Sequence, residues 1–347
     1  MPGTTTGGTL GRIVRRILAG LGALVLLLAG AYGWLLHEPP ASAPRLGASV
    51  RRDSIRVGDR TRSYAFHAPA RLAPDPPLVI ALHGSMGDAE QMRRATGYGF
   101  ERLAERHGFI VVYPEGYERH WNDCRRKGPY AANRLGIDDV GFMRALVARF
   151  RSAYGVDSAR VFAVGLSNGG HLGYRLALEA PGLVRGVAAV AASLPAPGDM
   201  DCTPAGGATS VLVMNGTEDP INPYEGGRVT LFGFGDRGSV LSARATAGYF
   251  ARRSGIADAP LTARIAQPGG SGPTFAERAV WRSAGGTEVV LYTIHGGGHT
   301  FPQPHVRFRR ILGRTHRALD GPAEIWSFFA RQDTQPSTRP LEHAEPS

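Results

Sequence analysis

Residues 160–179 read RVFAVGLSNGGHLGYRLALE, and this stretch decides the fold. It starts with a short apolar run, residues 161–164, typical of a strand buried on both faces. A helical segment is expected over 168–179. Between them stands Gly165-Leu166-Ser167-Asn168-Gly169, a G-x-S-x-G motif that is weak alone but has the strand–turn–helix setting of a nucleophile elbow. Ser167 is therefore the candidate nucleophile; the competing interpretation is a glycine-rich helix start capped by a serine.

The chain on either side of this stretch alternates between predicted strands and helices. Short apolar runs predict strands over 78–82, 109–113, 160–166, 186–192, 210–214 and 288–294, after an antiparallel hairpin over 54–67. Helical segments are expected over 88–107, 138–154, 168–179 and 322–331. This alternation predicts an α/β fold with a doubly wound, mostly parallel sheet and helices on both faces. Ligands of such sheets bind beyond the carboxyl ends of the strands.

Length and composition exclude several classes of protein. The chain has 347 residues, of which 43% are hydrophobic, and it contains 47 Gly but only two Cys. These values exclude a coiled coil, a multi-span membrane protein and a disulfide-rich scaffold. The 40 basic residues exceed the 29 acidic ones and give a net charge of +11. Because no nucleic-acid-binding module accompanies this charge, we expect no nucleic-acid partner and favour a basic surface near an anionic membrane.

The N-terminal segment is typical of an export signal or a membrane anchor. An uncharged apolar run over residues 17–36 is long enough to span a bilayer. Three arginines precede the run, namely Arg12, Arg15 and Arg16. They are expected to hold this end in the cytoplasm, so that the rest of the chain lies outside. Ala41-Ser42-Ala43 offers a cleavage site, but Pro44 follows it, and an uncleaved anchor is favoured over a cleaved signal.

The chain accordingly divides into four parts. Residues 1–36 form the signal or membrane-anchor segment, and the Pro/Ala/Ser-rich residues 37–50 form a linker. Residues 51–331 form the α/β domain, and the polar residues 332–347 are expected to be a disordered tail. The domain is therefore expected to be exported, either secreted or attached to a membrane through the N-terminal helix.

Two further residues complete the candidate chemistry, because a serine needs a base and the base needs an orienting acid. In this fold the acid and then the base follow the serine along the chain. Asp219 lies in a turn after the strand over 210–214, with Glu218 as the fallback acid. His299 follows the last strand in a flexible Gly-Gly-Gly loop and is the candidate base. His295 ends the strand and is expected to face the core or to pack beside the site, and neither a metal nor an organic cofactor is expected.

Two backbone amides are expected to form an oxyanion hole, which an acyl-transfer enzyme needs for the charge on its tetrahedral intermediate. One amide is that of Asn168, directly after the nucleophile. The other is expected from the loop after the first buried strand, from Ser85 with Met86 as the alternative, since Gly84 lets the backbone approach closely.

Together these pieces resemble the α/β-hydrolase fold and, more narrowly, the exported esterases related to feruloyl esterases and polyhydroxybutyrate depolymerases. The resemblance extends from about Ser54 to Ala330. It rests on several motifs in the right order: Leu82-His83-Gly84, Trp121-Asn122, GLSNGG at 165–170, NGTEDP at 215–220 and GGHTFP at 297–302. It implies Ser167, Asp219 and His299 as the catalytic triad. One departure is Phe301-Pro302-Gln303, where the family usually has Trp followed by Pro-Gly; another is the unusually basic stretch 305–317.

Four more residues are candidates for lesser roles. Trp121 and Tyr224 could line a substrate pocket or simply pack in the core. Cys124 and Cys202 both follow strand ends on the side of the site, in a chain expected to be exported. They could form a disulfide, or they could be two buried thiols.

The sequence thus predicts an exported serine esterase that hydrolyses a small-molecule or oligomeric carboxylic ester through an acyl-enzyme. A serine peptidase or an acyltransferase could use the same triad. A catalytically silent, envelope-anchored binding protein is the alternative outside enzymes.

Overall fold

The computed structural model describes residues 7–39, 41–266 and 272–333. A ten-stranded sheet forms the centre of the domain, in the order β1-β2-β4-β3-β5-β6-β7-β12-β11-β10. Its strands are β1 (Arg51–Val57), β2 (Arg60–His67), β3 (Leu78–Leu82), β4 (Ile110–Pro114), β5 (Val161–Leu166), β6 (Gly186–Val190), β7 (Ser210–Gly216), β10 (Leu261–Arg264), β11 (Phe275–Arg282) and β12 (Glu288–His295). A separate two-stranded sheet contains β8 (Gly227–Arg228) and β9 (Ser239–Val240).

The six central strands run parallel, and antiparallel strands flank them at both edges. The helices are α1 (Gly7–Leu36), α2 (Ala89–Ala95), α3 (Gly99–His107), α4 (Ala131–Arg134), α5 (Asp139–Tyr154), α6 (Asn168–Glu179), α7 (Ala243–Arg253) and α8 (Gly321–Asp333). The structure is therefore the predicted α/β fold with a mostly parallel sheet.

The sheet divides the hydrophobic core into two layers, because successive side chains of a strand point to opposite faces. In β3, Leu78, Ile80 and Leu82 belong to one layer, with residues of α5, α6 and α7. Val79 and Ala81 belong to the other layer, with residues of α2, α3 and α8. Helices thus cover both faces of the sheet, and both layers exclude water from its centre.

Several local features differ from the expectations, and helices α4 and α7 were not expected at all. The helix expected over 88–107 is two helices, because Gly97 and Tyr98 both adopt positive φ angles, +59° and +55°, between α2 and α3. The edge strands β10 and β11 were not expected, and β10 is exposed at every residue, which leaves no buried pattern to detect. Helix α8 extends to Asp333, two residues beyond the expected end of the domain. Residues 334–347 of the expected tail lie outside the described residues.

The N-terminal segment is one continuous helix, α1, followed by irregular chain. Within it, Val14–Leu36 is long and apolar enough to cross a membrane, and none of it is buried against the domain. The segment expected to be a linker contains no helix or strand where it is described, but it contacts the domain. For example, the Gly47 and Ala48 amides both donate to the Glu105 carboxylate, at 3.0 and 3.3 Å.

Candidate active site

Ser167 occupies the sharp turn between β5 and α6. Its φ of +54° and ψ of −116° lie outside the regions that most residues adopt, as expected for a nucleophile elbow. Two glycines make this turn possible. A Cβ on Gly165 would lie 2.1 Å from the Gly169 carbonyl oxygen, and one on Gly169 would lie 2.3 Å from the Leu82 carbonyl oxygen. The backbone of the elbow therefore packs directly on the end of β3, without room for side chains.

Asp219 and His299 form a buried pair. Asp219 Oδ2 accepts a hydrogen bond from His299 Nδ1 at 2.8 Å, and both residues are less than a tenth exposed. The second oxygen, Oδ1, accepts the amides of Ile221 and Asn222, each at 2.8 Å. These bonds fix the carboxylate just beyond β7 and assign the proton to Nδ1, so that Nε2 of His299 carries the lone pair.

The loop after β12 holds His299 through its backbone. The His299 amide donates to the Leu312 carbonyl at 2.7 Å, and the Gly298 amide donates to the Arg314 carbonyl at 2.9 Å. Gly298 packs so closely that an added Cβ would lie 2.1 Å from the Leu312 oxygen. The basic stretch that the sequence marks as unusual therefore supports the backbone of the candidate base.

The two candidate oxyanion donors lie on adjacent segments. Asn168 is the first residue of α6, so no preceding helical turn accepts its amide. In the loop after β3, the Met86 amide donates to the Arg119 carbonyl at 3.0 Å and is not available to a substrate. The Ser85 amide has no acceptor among the described residues, and the geometry therefore favours Ser85 over Met86.

His83 shapes the loop that carries Ser85. Its Nδ1 lies 2.8 Å from the Gly84 carbonyl oxygen, and its Nε2 accepts the Gly116 amide at 2.9 Å. This pattern requires a neutral ring with the proton on Nδ1. Burial lowers the pKa of His83 to about 4, which keeps the ring neutral at physiological pH.

A buried polar network supports the nucleophile from behind. The Asn168 side chain accepts the Trp121 amide at 2.8 Å and donates to Asp123 at 2.6 Å. Asp123 forms a buried ion pair with Arg125 at 2.6 Å. Burial alone would raise the pKa of Asp123, but the charge of Arg125 and its hydrogen bonds to the carboxylate hold the pKa below its ordinary value.

Cys124 and Cys202 are joined by a disulfide, with their Cα atoms 4.9 Å apart. The bond connects this supporting loop to the segment between β6 and β7. The two cysteines are therefore not free buried thiols.

Neither aromatic residue considered for substrate binding lines the cavity. Trp121 is fully buried, and its indole nitrogen donates to the His83 carbonyl at 2.8 Å, so its role is to hold the oxyanion loop. The Tyr224 hydroxyl pairs with the Thr293 hydroxyl at 2.7 Å, and its ring packs against the core. For both residues the structure favours the alternative of packing: Trp121 is fully buried, and Tyr224 is partly buried against the core.

Ser167 and His299 line one cavity of about 500 Å³. Ser85 and His171 also line it, so the candidate nucleophile, base and oxyanion loop face the same space. Much of the remaining wall is apolar, with Met86, Leu166, Ile221, Leu231, Val306 and Phe308 among its residues. This lining suits the hydrocarbon part of a substrate.

His171 is a site residue that the sequence reasoning missed. It lies one helical turn after Ser167, and its Nδ1 lies 3.0 Å from the Ser167 carbonyl oxygen. Its Nε2 is buried without a hydrogen-bond partner in the described part of the chain. Burial lowers the pKa of His171 to about 3, so the ring is neutral. The i, i+4 spacing from Ser167 was the signal in the sequence that could have found it.

The remaining candidates lie apart from the chemistry. Glu218 pairs with Arg314 at 2.7 Å on the surface and not with His299. His295 stacks on Phe275 and pairs with Glu277 at 2.7 Å. Within the ranges that the structure describes, no group of three His, Cys, Asp or Glu residues is arranged to hold a metal ion.

Comparison with known proteins identifies the family. The family model described as esterase PHB depolymerase matches residues 62–259, more than half of the chain. The chain belongs to this family. NocK of Nocardia uniformis subsp. tsuyamanensis, which carries an esterase name, is 32% identical over 336 residues, covering 88% of this esterase and 95% of NocK.

Two other relatives match over shorter stretches. The poly(3-hydroxybutyrate) depolymerase of Ralstonia pickettii is 28% identical over 191 residues, covering 51% of the esterase and 38% of the relative. Acetylxylan esterase A of Aspergillus oryzae is 28% identical over 149 residues, covering 43% and 47%. Among solved structures, the acetyl xylan esterase from Aspergillus awamori aligns with a TM-score of 0.54 over 81% of the esterase and 99% of its own chain, at 17% identity. That similarity supports the α/β-hydrolase fold.

These findings make the protein an esterase, an enzyme that acts on carboxylic ester bonds.

Proposed function

We propose that this chain is an exported serine esterase in which Ser167, His299 and Asp219 hydrolyse carboxylic esters through an acyl-enzyme. One observation carries the proposal. Asp219 and His299 are joined through Nδ1 at 2.8 Å, and His299 lines the same cavity as Ser167. A nucleophile, a base and an orienting acid are the three parts that this chemistry needs.

In the first half-reaction, Nε2 of His299 takes the Ser167 proton as Oγ attacks the ester carbonyl carbon. The amides of Ser85 and Asn168 hold the resulting oxyanion. The tetrahedral intermediate collapses, the bond to the leaving oxygen breaks, and the imidazolium donates its proton to release an alcohol. Asp219 stabilises the imidazolium and holds the ring in orientation.

In the second half-reaction, Nε2 takes a proton from a water molecule, which attacks the acyl carbon. Collapse of this second intermediate breaks the bond to Oγ, returns the proton to Ser167 and releases the carboxylic acid. Water is the acceptor in hydrolysis, and transfer of the acyl group to another alcohol or to an amine would be acyltransferase activity instead. A peptidase or an acyltransferase would use the same three residues with a different leaving group or acceptor, whereas a silent binding protein would show no activated serine.

Export is supported by α1 and by the arginines before its apolar part. A helix of this length, with Arg12, Arg15 and Arg16 at its N-terminal side, is expected to leave the domain on the outer face of a membrane. The named substrates of the relatives, poly(3-hydroxybutyrate) and acetylxylan, suggest esters of hydroxyalkanoic acids or acetylated sugars as substrate classes to test.

Labelling with a fluorophosphonate, followed by peptide mapping, tests the mechanism directly. We expect one adduct at Ser167 in the full-length protein, and no adduct when His299→Ala removes the base. Ser167→Ala should retain the fold by circular dichroism and lose hydrolysis of a p-nitrophenyl ester. Hydrolysis that survives Ser167→Ala would contradict the proposal, as would a labelled serine elsewhere. A folded protein that is neither labelled nor active would favour the silent binding protein.

A further inference from the structure

The end of α1 is fixed against the loop that carries His299. The Trp34 carbonyl accepts a hydrogen bond from Arg310 at 3.0 Å, and the Arg310 guanidinium lies 4.7 Å from the centre of the Trp34 ring. Two residues after the helix, Glu38 pairs with Arg94 at 2.8 Å and with Arg309 at 3.3 Å. These contacts tie the helix end to two separate parts of the domain.

The same contacts place the helix end at the rim of the active-site cavity. Glu38 and Arg309 both line the cavity that contains Ser167 and His299. Trp34 and Glu38 are four residues apart, and a chain of that length spans at most about 14 Å. If the apolar part of α1 lies in a bilayer, Trp34 lies at the interface, where tryptophan is enriched. The rim of the cavity must then lie close to the lipid headgroups.

The charge of the rim is complementary to an anionic surface. Residues 305–317 contain five arginines and no acidic residue. Arg307 is exposed, and no carboxylate of the described residues pairs with it. Each arginine close to an anionic bilayer contributes attraction that falls off within a Debye length. This stretch lies directly beside the helix end, so the charge and the anchor act on the same side of the domain.

Apolar side chains are exposed at the same cavity. Met86 is 68% exposed and Leu231 is 40% exposed, although both line the cavity. Large exposed apolar residues grouped at one opening indicate a surface that contacts something apolar. The arginines are complementary to the charged headgroups of an anionic bilayer, and the exposed apolar side chains are complementary to the hydrocarbon beneath them.

We propose that the active-site cavity opens on the surface of an anionic bilayer and that its substrate is an amphiphilic ester that enters from this surface. The proposal rests on the proposed ester hydrolysis and on an α1 that stays attached. The apolar wall would take the acyl or alkyl chain, which brings the ester carbonyl to Ser167. The substrate class is thus an ester that partitions into membranes, rather than a water-soluble one.

Fluorescence quenching tests the orientation in the full-length protein. The only two cysteines form a disulfide, so Leu231→Cys offers a single site for an NBD fluorophore. The labelled protein is reconstituted into phosphatidylcholine vesicles that contain phosphatidylglycerol and doxyl-labelled lipid. We expect strong quenching, because the label lies at the proposed bilayer-facing rim.

Leu261→Cys provides the matched control, since Leu261 is 82% exposed on β10. Leu261 pairs with Val280, and Val280 pairs in turn with Val290, near the start of β12. The site lies beyond the carboxyl end of β12, so Leu261 lies towards the opposite end of the strands. We expect no quenching there. Equal quenching at both positions, or none at Leu231→Cys, would overturn the proposed orientation. Quenching that does not weaken when phosphatidylglycerol is left out would overturn the role of the arginines.

Activity in the same vesicles tests the substrate class. We expect a long-chain p-nitrophenyl ester, dissolved in the bilayer, to be hydrolysed faster than a short-chain one at equal total concentration. Arg310→Ala should lower the ratio of long-chain to short-chain rates several-fold, because it removes both contacts that hold Trp34 against the loop of His299. Arg307→Ala removes the same charge from the same segment without that contact and should retain most of the ratio.

The outcomes separate the two proposals. Hydrolysis of the short-chain ester alone would overturn the membrane-derived substrate and leave the esterase mechanism standing. Absence of hydrolysis of either ester would contradict the proposed function, and the quenching result would still decide the orientation of the cavity.

Discussion

The two halves of the candidate site are held by different kinds of structure. The nucleophile half consists of Ser167 and Asn168, at the junction of a central strand and a helix, with the loop over 121–125 packed beneath. The base half consists of His299 on a long connection, residues 296–320, whose regular structure is one short 3₁₀ turn. Local backbone rules thus position the nucleophile, whereas distant contacts position the base. Perturbing each half should therefore have different consequences.

The largest effect is expected from changing Asp219, the acid that orients His299 in the base half. Asp219→Asn keeps the size of the side chain but cannot hold the Nδ1–H tautomer or stabilise the imidazolium. We expect kcat to fall by about 10⁴-fold, the magnitude seen when the acid of such a triad is changed in this way. Hydrolysis of p-nitrophenyl acetate measures it.

Glu218→Gln is the matched control, since it changes the neighbouring acid that pairs with Arg314 on the surface. It should retain nearly full activity. A larger loss in Glu218→Gln than in Asp219→Asn would reverse the assignment of the two acids.

An effect of similar size in free energy is expected in the nucleophile half, but it acts on stability and not on rate. Changing both Cys124 and Cys202 to Ser removes the disulfide, which closes a loop with a sequence separation of 78. The free energy of unfolding in urea should fall by about 4 kcal/mol on the chain-entropy model. Because the Asn168–Asp123 bond still supports the elbow, kcat should change little while the variant is folded. A large loss of kcat with unchanged stability would contradict this division of roles.

A smaller effect is expected from moving His299 through its backbone. In Gly298→Ala the new Cβ would meet the Leu312 oxygen at 2.1 Å, so the loop must shift. A displacement of about 1 Å at a catalytic group can cost about 10²-fold in rate, and we expect a loss of this size in kcat. Gly182→Ala, where an added Cβ meets nothing within 4 Å, should leave kcat unchanged. Equal rates in the two variants would show that the base half tolerates movement.

The same contrast explains how much the sequence could predict. The elbow follows from a local pattern of strand, glycines and helix, and the sequence alone located both the alternation of elements and this turn. Whether Trp121 and Tyr224 line a pocket or pack in the core depends on which elements surround them, so the sequence left that choice open. The break between α2 and α3 depends on positive φ angles at Gly97 and Tyr98, and Tyr98 gives no sign of this in the sequence. The support of His299 by the stretch 310–314 is likewise a purely tertiary contact.

The smallest predicted effect per residue is on the pH dependence of stability, and it arises in the nucleophile half. The nucleophile half contains two buried neutral histidines, His83 and His171, whose pKa values burial lowers from 6.5 to about 4 and about 3. Between those values and 6.5 the unfolded chain binds more protons than the folded one, so stability is complete above about pH 6.5 and falls as the pH falls.

Urea unfolding at pH values between 7 and 5 measures this loss. Each histidine should contribute about 2 kcal/mol between about pH 6.5 and 5, since each pH unit in this window is worth about 1.4 kcal/mol per proton. His83→Gln cannot titrate and should remove its share of the slope while His171 retains its own. The variant will be less stable at neutral pH, because Gln cannot reproduce both ring contacts, so the slope and not the absolute stability is compared. A slope equal to that of the unmodified protein would mean that His83 is not held neutral beneath the oxyanion loop.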